Sequence, residues 1–233
     1  RAGLDIGLGG DPSEFWIVHG NTCLHHAETS TTSPNTLHHW IISLLKLGIN
    51  SYSLLPENCS GDAGGIGAPI LRRVSEDNYP LRMINNQAPP FDTDSYANIG
   101  AEMYFRIKRL VELAIILAPK EFACHAKWLK QLTTRKYFTN DKQKLQLEDK
   151  KKAKGRLGFS PDCADSYVLA YSGYDIESFI TGHPAEDISA EARMARFVQE
   201  YDEKAFEKED KPFDPFAERT MTYSNGIYNI AYR

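Results

Sequence analysis

Four aspartates in this 233-residue chain stand where an acid is costly, or where the backbone is built to let another group come close. Asp5 lies in "GLDIGL", between Leu4 and Ile6, in a short apolar run that reads as a buried strand. A carboxylate inside a core strand is expensive unless it is paired or bound to a metal. Asp62 lies in "SGDAGGIGAPIL", where glycines at 61, 64, 65 and 67 permit a sharp turn and close approach. The glycine spacing matches neither common phosphate-binding fingerprint. Asp162 and Asp165 follow Ser160-Pro161, a helix-start pair with serine as expected cap and proline as first helical residue. In the first turn Asp162 suits the helix dipole. Asp165 lies three residues on, so it shares that face. Its neighbours are Ala164, Val168 and Leu169, and local helix energetics does not call for an acid there.

Each acid also has a plain structural reading: a hydrogen-bonded strand end for Asp5, a helix cap for Asp62, a dipole partner for Asp162. If the three segments meet, however, an all-oxygen cluster results, which suits the hard cations Mg²⁺ or Mn²⁺. Two such ions close together activate water and stabilise a leaving oxygen in phosphodiester hydrolysis.

The elements that must position these acids follow from hydrophobic period and turn signals. Strands are expected at 2–9, 13–21 and 22–30, as an antiparallel meander. A helix is expected over 33–49, begun by Ser33-Pro34 and carried by Leu37, Ile41, Leu44 and Leu45. A strand at 50–58, a helix after the glycine turn within 61–78, and a strand at 80–88 come next. Helices at 94–116 and 123–138, a strand at 144–148 and the helix bearing Asp165 complete the series. The order β-β-β-α-β-α-β-α-α-β-α implies an α/β fold, a mixed sheet with helices on both faces. Beyond about Ile180 the chain is charge-rich and aromatic but poor in Leu and Val. It reads as a surface-wrapping or partly mobile extension with one helix near 189–208.

Bulk composition narrows the classes. The net charge of −4 advertises no overall basic field. No run of about 18 apolar residues is present to span a membrane. The opening "RAGLDIGLGG" is no signal peptide; it starts directly into a strand without an initiator methionine, as a fragment of a longer chain would. Cys23, Cys59, Cys124 and Cys163 show no C-x-x-C spacing, so neither a zinc site nor a disulfide framework is expected, and reduced thiols suit a cytoplasmic setting. The adjacent pairs His25-His26 and His38-His39 point to different sides of their elements and are not expected to chelate. His125 and His183 stand outside any constellation.

One local patch runs against the overall charge. Residues 142–156 carry seven basic side chains (Lys142, Lys144, Lys150, Lys151, Lys152, Lys154 and Arg156) against two acids. Such a run is either a solvated face or a set of phosphate contacts that hold a duplex without reading its sequence. Its place just before the acidic helix favours DNA binding. Arg72, Arg73, Lys127 and Lys130 are secondary candidates.

Three blocks then carry a resemblance. "GLDIGLGGDPSEFWIVHG", "DAGGIGAPILRRV" and "KLQLEDKKKAKGRLGFSPDCADSYVLAY" occur in an order that resembles the nuclease domain of large terminase subunits of tailed double-stranded DNA bacteriophages. The resemblance covers about residues 1 to 175. It implies an RNase H-like nuclease domain over 1–180, a charged C-terminal extension over 181–233, and two Mg²⁺ or Mn²⁺ ions. It further implies metal-dependent endonuclease cutting of concatemeric viral DNA during genome packaging, in the host cell cytoplasm rather than in the virion. Asp5, Asp62 and Asp165 match the catalytic, metal-binding acids, and Asp162 a neighbouring metal position. The implied partners are double-stranded DNA and the terminase ATPase domain, which this sequence lacks, with portal and small terminase as further candidates. Two other readings stand beside it. One is another RNase H-like nuclease of resolvase or integrase type; the other is a non-catalytic DNA-gripping or docking module.

Overall fold

The computed structural model describes residues 1–172 and, in backbone only, the strands Arg219–Ser224 and Ile227–Tyr232. In chain order the elements are β1 (Ala2–Asp5), β2 (Ser13–His19), β3 (Thr22–Thr29), α1 (Pro34–Tyr52), a 3₁₀ turn (Pro56–Asn58), β4 (Cys59–Asp62), α2 (Gly67–Glu76) and β5 (Arg82–Ile84). Then come α3 (Ile99–Glu112), α4 (His125–Thr134), β6 (Tyr137–Thr139), β7 (Leu145–Leu147), α5 (Lys150–Leu157) and α6 (Asp162–Ala170), with β8 (Arg219–Ser224) and β9 (Ile227–Tyr232) later in the chain.

The main sheet has the order β3-β2-β1-β4-β5. β1 and β2, and β2 and β3, run antiparallel, whereas β4 is parallel to both β1 and β5. Strand alternation assigns its two faces. Ala2 and Leu4 of β1, with Phe15 and Ile17 of β2, meet Leu37, Ile41 and Leu45 of α1 and Leu71 of α2 in one core. The opposite face of β1 carries Gly3 and Asp5. There α6 lies across β1, β2 and β4. A side chain at residue 3 would collide with the backbone of Ser166 and Ala170, so the absence of a Cβ is what lets α6 sit directly on the strand. This close approach carries the acids of α6 up to Asp5, one alternation further along the same face. The expected mixed sheet with helices on both faces is present.

Several local expectations need correction. The strand expected at 50–58 is instead the end of α1, a left-handed Ser53 that stops the helix, and the 3₁₀ turn. The true strand, β4, is the unpromising "CSGD". The Ser53 stop packs Leu54 back under Gly48. The strand expected at 144–148 does not join the main sheet; β7 pairs with the unforeseen β6 in a hairpin. α5 was not expected as a separate helix. Asp149 caps it by accepting from the backbone N–H groups of Lys151 and Lys152, which fixes Lys150 as its first residue. Ser160 does not cap α6: the cap position is Pro161, and the serine hydroxyl bonds Asp162 Oδ1 instead.

β8 and β9 form an antiparallel hairpin in a second compact unit, Ala195–Arg233, separate from Arg1–Met194. The helix expected near 189–208 lies outside the described residues.

Candidate active site

Asp5, Asp162 and Asp165 converge. One carboxylate oxygen from each lies within 4.8 Å of the others, and all three side chains are buried. β1 supplies the first, and the first turn of α6 supplies the other two at i and i+3. Asp62 lies outside that tight group. The parallel register pairs Gly3 with Ser60 and Leu4 with Gly61, so Asp62 ends the strand next to Asp5. Its Oδ1 accepts from the Gly64 N–H at 2.8 Å and its Oδ2 from Asn86 Nδ2 at 3.1 Å. With Asn86, Tyr104, Arg135, Lys150 and Asp165 it lines a cleft of ≈ 370 Å³.

The Lys150 ammonium occupies the middle of the cluster. Nζ lies 3.0 Å from Asp5 Oδ2, 3.0 Å from Asp162 Oδ1 and 2.9 Å from Asp165 Oδ2. On the far side of Asp165, Oδ1 accepts from the Tyr104 hydroxyl and from Arg135 Nη1 at 2.8 Å. Arg135 also stacks on the Tyr104 ring, 5.1 Å from its centroid. Both oxygens of Asp165 are therefore held in fixed directions.

Charge balance divides the acids. Burial raises the Asp5 carboxyl well above the usual range against the opposing pull of Lys150, and repulsion from Asp165, Asp162 and Asp62 adds to the rise. Burial likewise pushes Asp62 up, against the Gly64 N–H and Lys150. Burial acts on Asp165 too, but Lys150, Arg135 and the Tyr104 hydroxyl outweigh it and hold that carboxyl below the ordinary value. Burial disfavours the Lys150 charge, yet Asp165, Asp5 and Asp162 keep the ammonium well above its normal range.

The residues present fit a hard cation. The donor set is all oxygen, and Asp162 Oδ2 is buried with no hydrogen-bond partner among the described residues. A buried carboxylate oxygen left unpaired is costly, and an ion at the cluster would satisfy it.

The seven side chains of the basic run stand in different surroundings. Lys142 and Lys144 sit at the turn of the β6–β7 hairpin, with Lys142 exposed. Lys151 and Lys152 are exposed on α5, and Lys152 reaches the cleft. Lys154 pairs with Asp11, 2.6 Å from Oδ1, and Arg156 with Glu148. Lys150, grouped with these as a phosphate contact from sequence, points into the acids instead. Of the secondary candidates, Arg73 bonds Asn35 Oδ1, Lys127 pairs with Glu14 and Glu28, and Lys130 stacks over Phe159. Sequence reasoning did not single out Tyr104, Arg135 or Asn86. They come from α3, the end of α4 and the segment after β5, and no spacing signal links them to the acids.

No protein-family model matches the chain, and no curated protein does. Solved structures do. The nuclease domain of the large terminase subunit gp2 of bacterial virus Sf6 superposes with a TM-score of 0.62 at 22% identity, covering 72% of this chain and 86% of that one. A K428A mutant of that domain with manganese gives 0.61 at 21% identity over the same shares. The large terminase nuclease from thermophilic phage G20c with bound magnesium gives 0.54 at 16% identity, over 74% of this chain and 80% of that one. At these identities the likeness concerns the fold: β1 to α6, with the acid cluster in their midst, form a mixed-sheet, RNase H-like domain built as the phage large-terminase nuclease domains are.

Proposed function

We propose that this chain is a metal-dependent endonuclease that cuts concatemeric double-stranded viral DNA during genome packaging. The observation that carries the reading is the convergence of Asp5, Asp162 and Asp165 within 4.8 Å, on a fold shared with terminase nuclease domains. Asp5, Asp162 and Asp165 would hold one Mg²⁺ or Mn²⁺, with Asp62 and Asp165 facing the cleft for a second. Bound there, such ions supply Lewis-acid stabilisation of phosphate charge and lower the pKa of a bound water.

The chain's own residues then have separate tasks. Arg135 and Tyr104 fix the Asp165 carboxylate, so its lone pairs keep one direction. Asn86 does the same for Asp62. Lys150 balances the buried acids when the ion site is unfilled. The exposed Lys142, Lys151 and Lys152, together with the half-buried Lys144, contact phosphates and position the duplex without sequence readout. Lys154 and Arg156 contribute less, because Asp11 and Glu148 already engage them. In the cell the domain works beside a packaging ATPase, with portal and small terminase as further partners, in the host cytoplasm.

The test is plasmid nicking in Mg²⁺ or Mn²⁺. The parent chain should cut and be silenced by EDTA, and Asp5→Asn or Asp165→Asn should abolish cutting while leaving circular dichroism unchanged. Full activity of either folded variant overturns the site. Cleavage restricted to four-way junctions would transfer the protein to the resolvase reading.

A further inference from the structure

A second cluster of metal-ligating side chains lies outside the acid site. A ring nitrogen of His26 and the Sγ atoms of Cys124 and Cys163 all fall within 4.8 Å of one another. They come from β3, the residue preceding α4, and α6, so nothing in their sequence spacing could announce them. We propose that these three side chains form a zinc-class site for a thiophilic divalent cation, which ties α6 to β3 and α4.

The chemistry separates this cluster from the carboxylates. Two thiolates and an imidazole are soft and borderline ligands that select zinc and its neighbours over Mg²⁺. With Zn–S bonds near 2.3 Å, tetrahedral angles place two sulfurs about 3.8 Å apart. With all three atoms within 4.8 Å, side-chain rotations that close at most about an ångström suffice. His26 Nε2 lies 2.7 Å from the fully buried Glu14 carboxylate, and a ring N–H donated there in the metal-bound state would leave Nδ1 to serve as the ligand. Lys127 in turn holds Glu14. Trp16, with its ring centroid 4.4 Å from that of His26, and Phe122, 5.4 Å from Trp16, wall the site on one side. Cys124 is half-buried, so solvent reaches the cluster from its side. Two thiolates neutralise a divalent charge, so the ion adds no net charge to the interior.

The consequence falls on the neighbouring site through the backbone. Cys163 follows Asp162 and precedes Asp165 by two residues on α6. A cation here would hold the first turn of α6 against the sheet.

Cobalt(II) is the probe. The full chain, reduced and stripped with EDTA, is titrated with Co²⁺ while the near-ultraviolet thiolate-to-cobalt charge-transfer band is followed. One equivalent should saturate the band, and one equivalent of Zn²⁺ should bleach it. Asp5→Asn should leave the band intact, because carboxylates do not produce it; this separates the outcome from that of the nuclease reading. Cys124→Ser should remove the band. Glu14→Gln should weaken cobalt binding about 10–100-fold. Absence of the band in the reduced parent protein, or its persistence in Cys124→Ser, overturns the proposal. Should Cys124→Ser fail to fold, mass spectrometry of alkylated parent protein decides: one equivalent of Zn²⁺ must protect Cys124, and unchanged labelling overturns the site.

Discussion

Replacing Lys150 with alanine tests the charge logic of the acid cluster most directly. Nζ lies 2.9–3.0 Å from three carboxylates, whose side chains are only 4–5% exposed. Removing one partner of a buried ion pair costs about 3–5 kcal/mol, because the other charge is left uncompensated. The lysine side chain is itself 39% exposed, so solvent screening brings the expected loss to about 2 kcal/mol. For a chain of this size that lowers Tm by roughly 4–8 °C without divalent ions. The second half of the prediction has the opposite sign. An ion entering the parent protein must displace the ammonium, and in Lys150→Ala it need not. Saturating Mn²⁺ at about 100 times Kd adds about 2.7 kcal/mol, so the ion should restore the variant and raise its Tm more than the parent's. Scanning calorimetry with and without Mn²⁺ reads both, and Lys151→Ala is the control, one residue along and exposed. A Tm drop below about 1 °C, or equal Mn²⁺ shifts in variant and parent, would refute the reasoning.

Three further outcomes are expected. Gly3→Ala puts a methyl group into the backbone of α6 at Ser166 and Ala170; overpacking of this kind costs about 1–3 kcal/mol or more, and plasmid nicking should fall with it as Asp162 and Asp165 shift. Lys151→Ala with Lys152→Ala should weaken duplex binding without altering sequence preference, and should flatten the slope of log affinity against log salt by about 0.9 for each phosphate no longer neutralised, measured by anisotropy across a salt series. Burial pushes the Cys23 and Cys59 thiols up to about 12. Their folded values exceed the unfolded ones, so their contribution to stability is complete below about pH 9 and is lost as pH rises towards 12. Each thiol should steepen the loss by about 1.4 kcal/mol per pH unit, and urea midpoints at pH 8 and 10.5 for parent and Cys59→Ala check it.

Between β1 and α6 the chain writes its own constraints. The acid in the Gly3-x-Asp5 strand, the glycine turn after Asp62 and the Asp162/Asp165 pair are local patterns, and Asp5 and Asp165 stand out because local energetics does not call for an acid there. α1 was legible from its period and its Ser33 start and α3 from its period, but the Asn98 cap that starts α3 at Ile99 emerged only in the structure. β4 was not: Cys-Ser-Gly-Asp has little strand preference and becomes a strand because β1 and β5 pair with it on both sides while Leu71 packs over Gly61. Tertiary structure alone decided that Lys150 faces inward among the acids rather than outward with its basic neighbours, that Arg135 and Tyr104 hold Asp165, and that His26, Cys124 and Cys163 meet. A local pattern records what a residue costs in its own strand or helix. Which distant groups offset that cost depends on how the elements pack, and packing is a property of pairs of segments that no single segment contains.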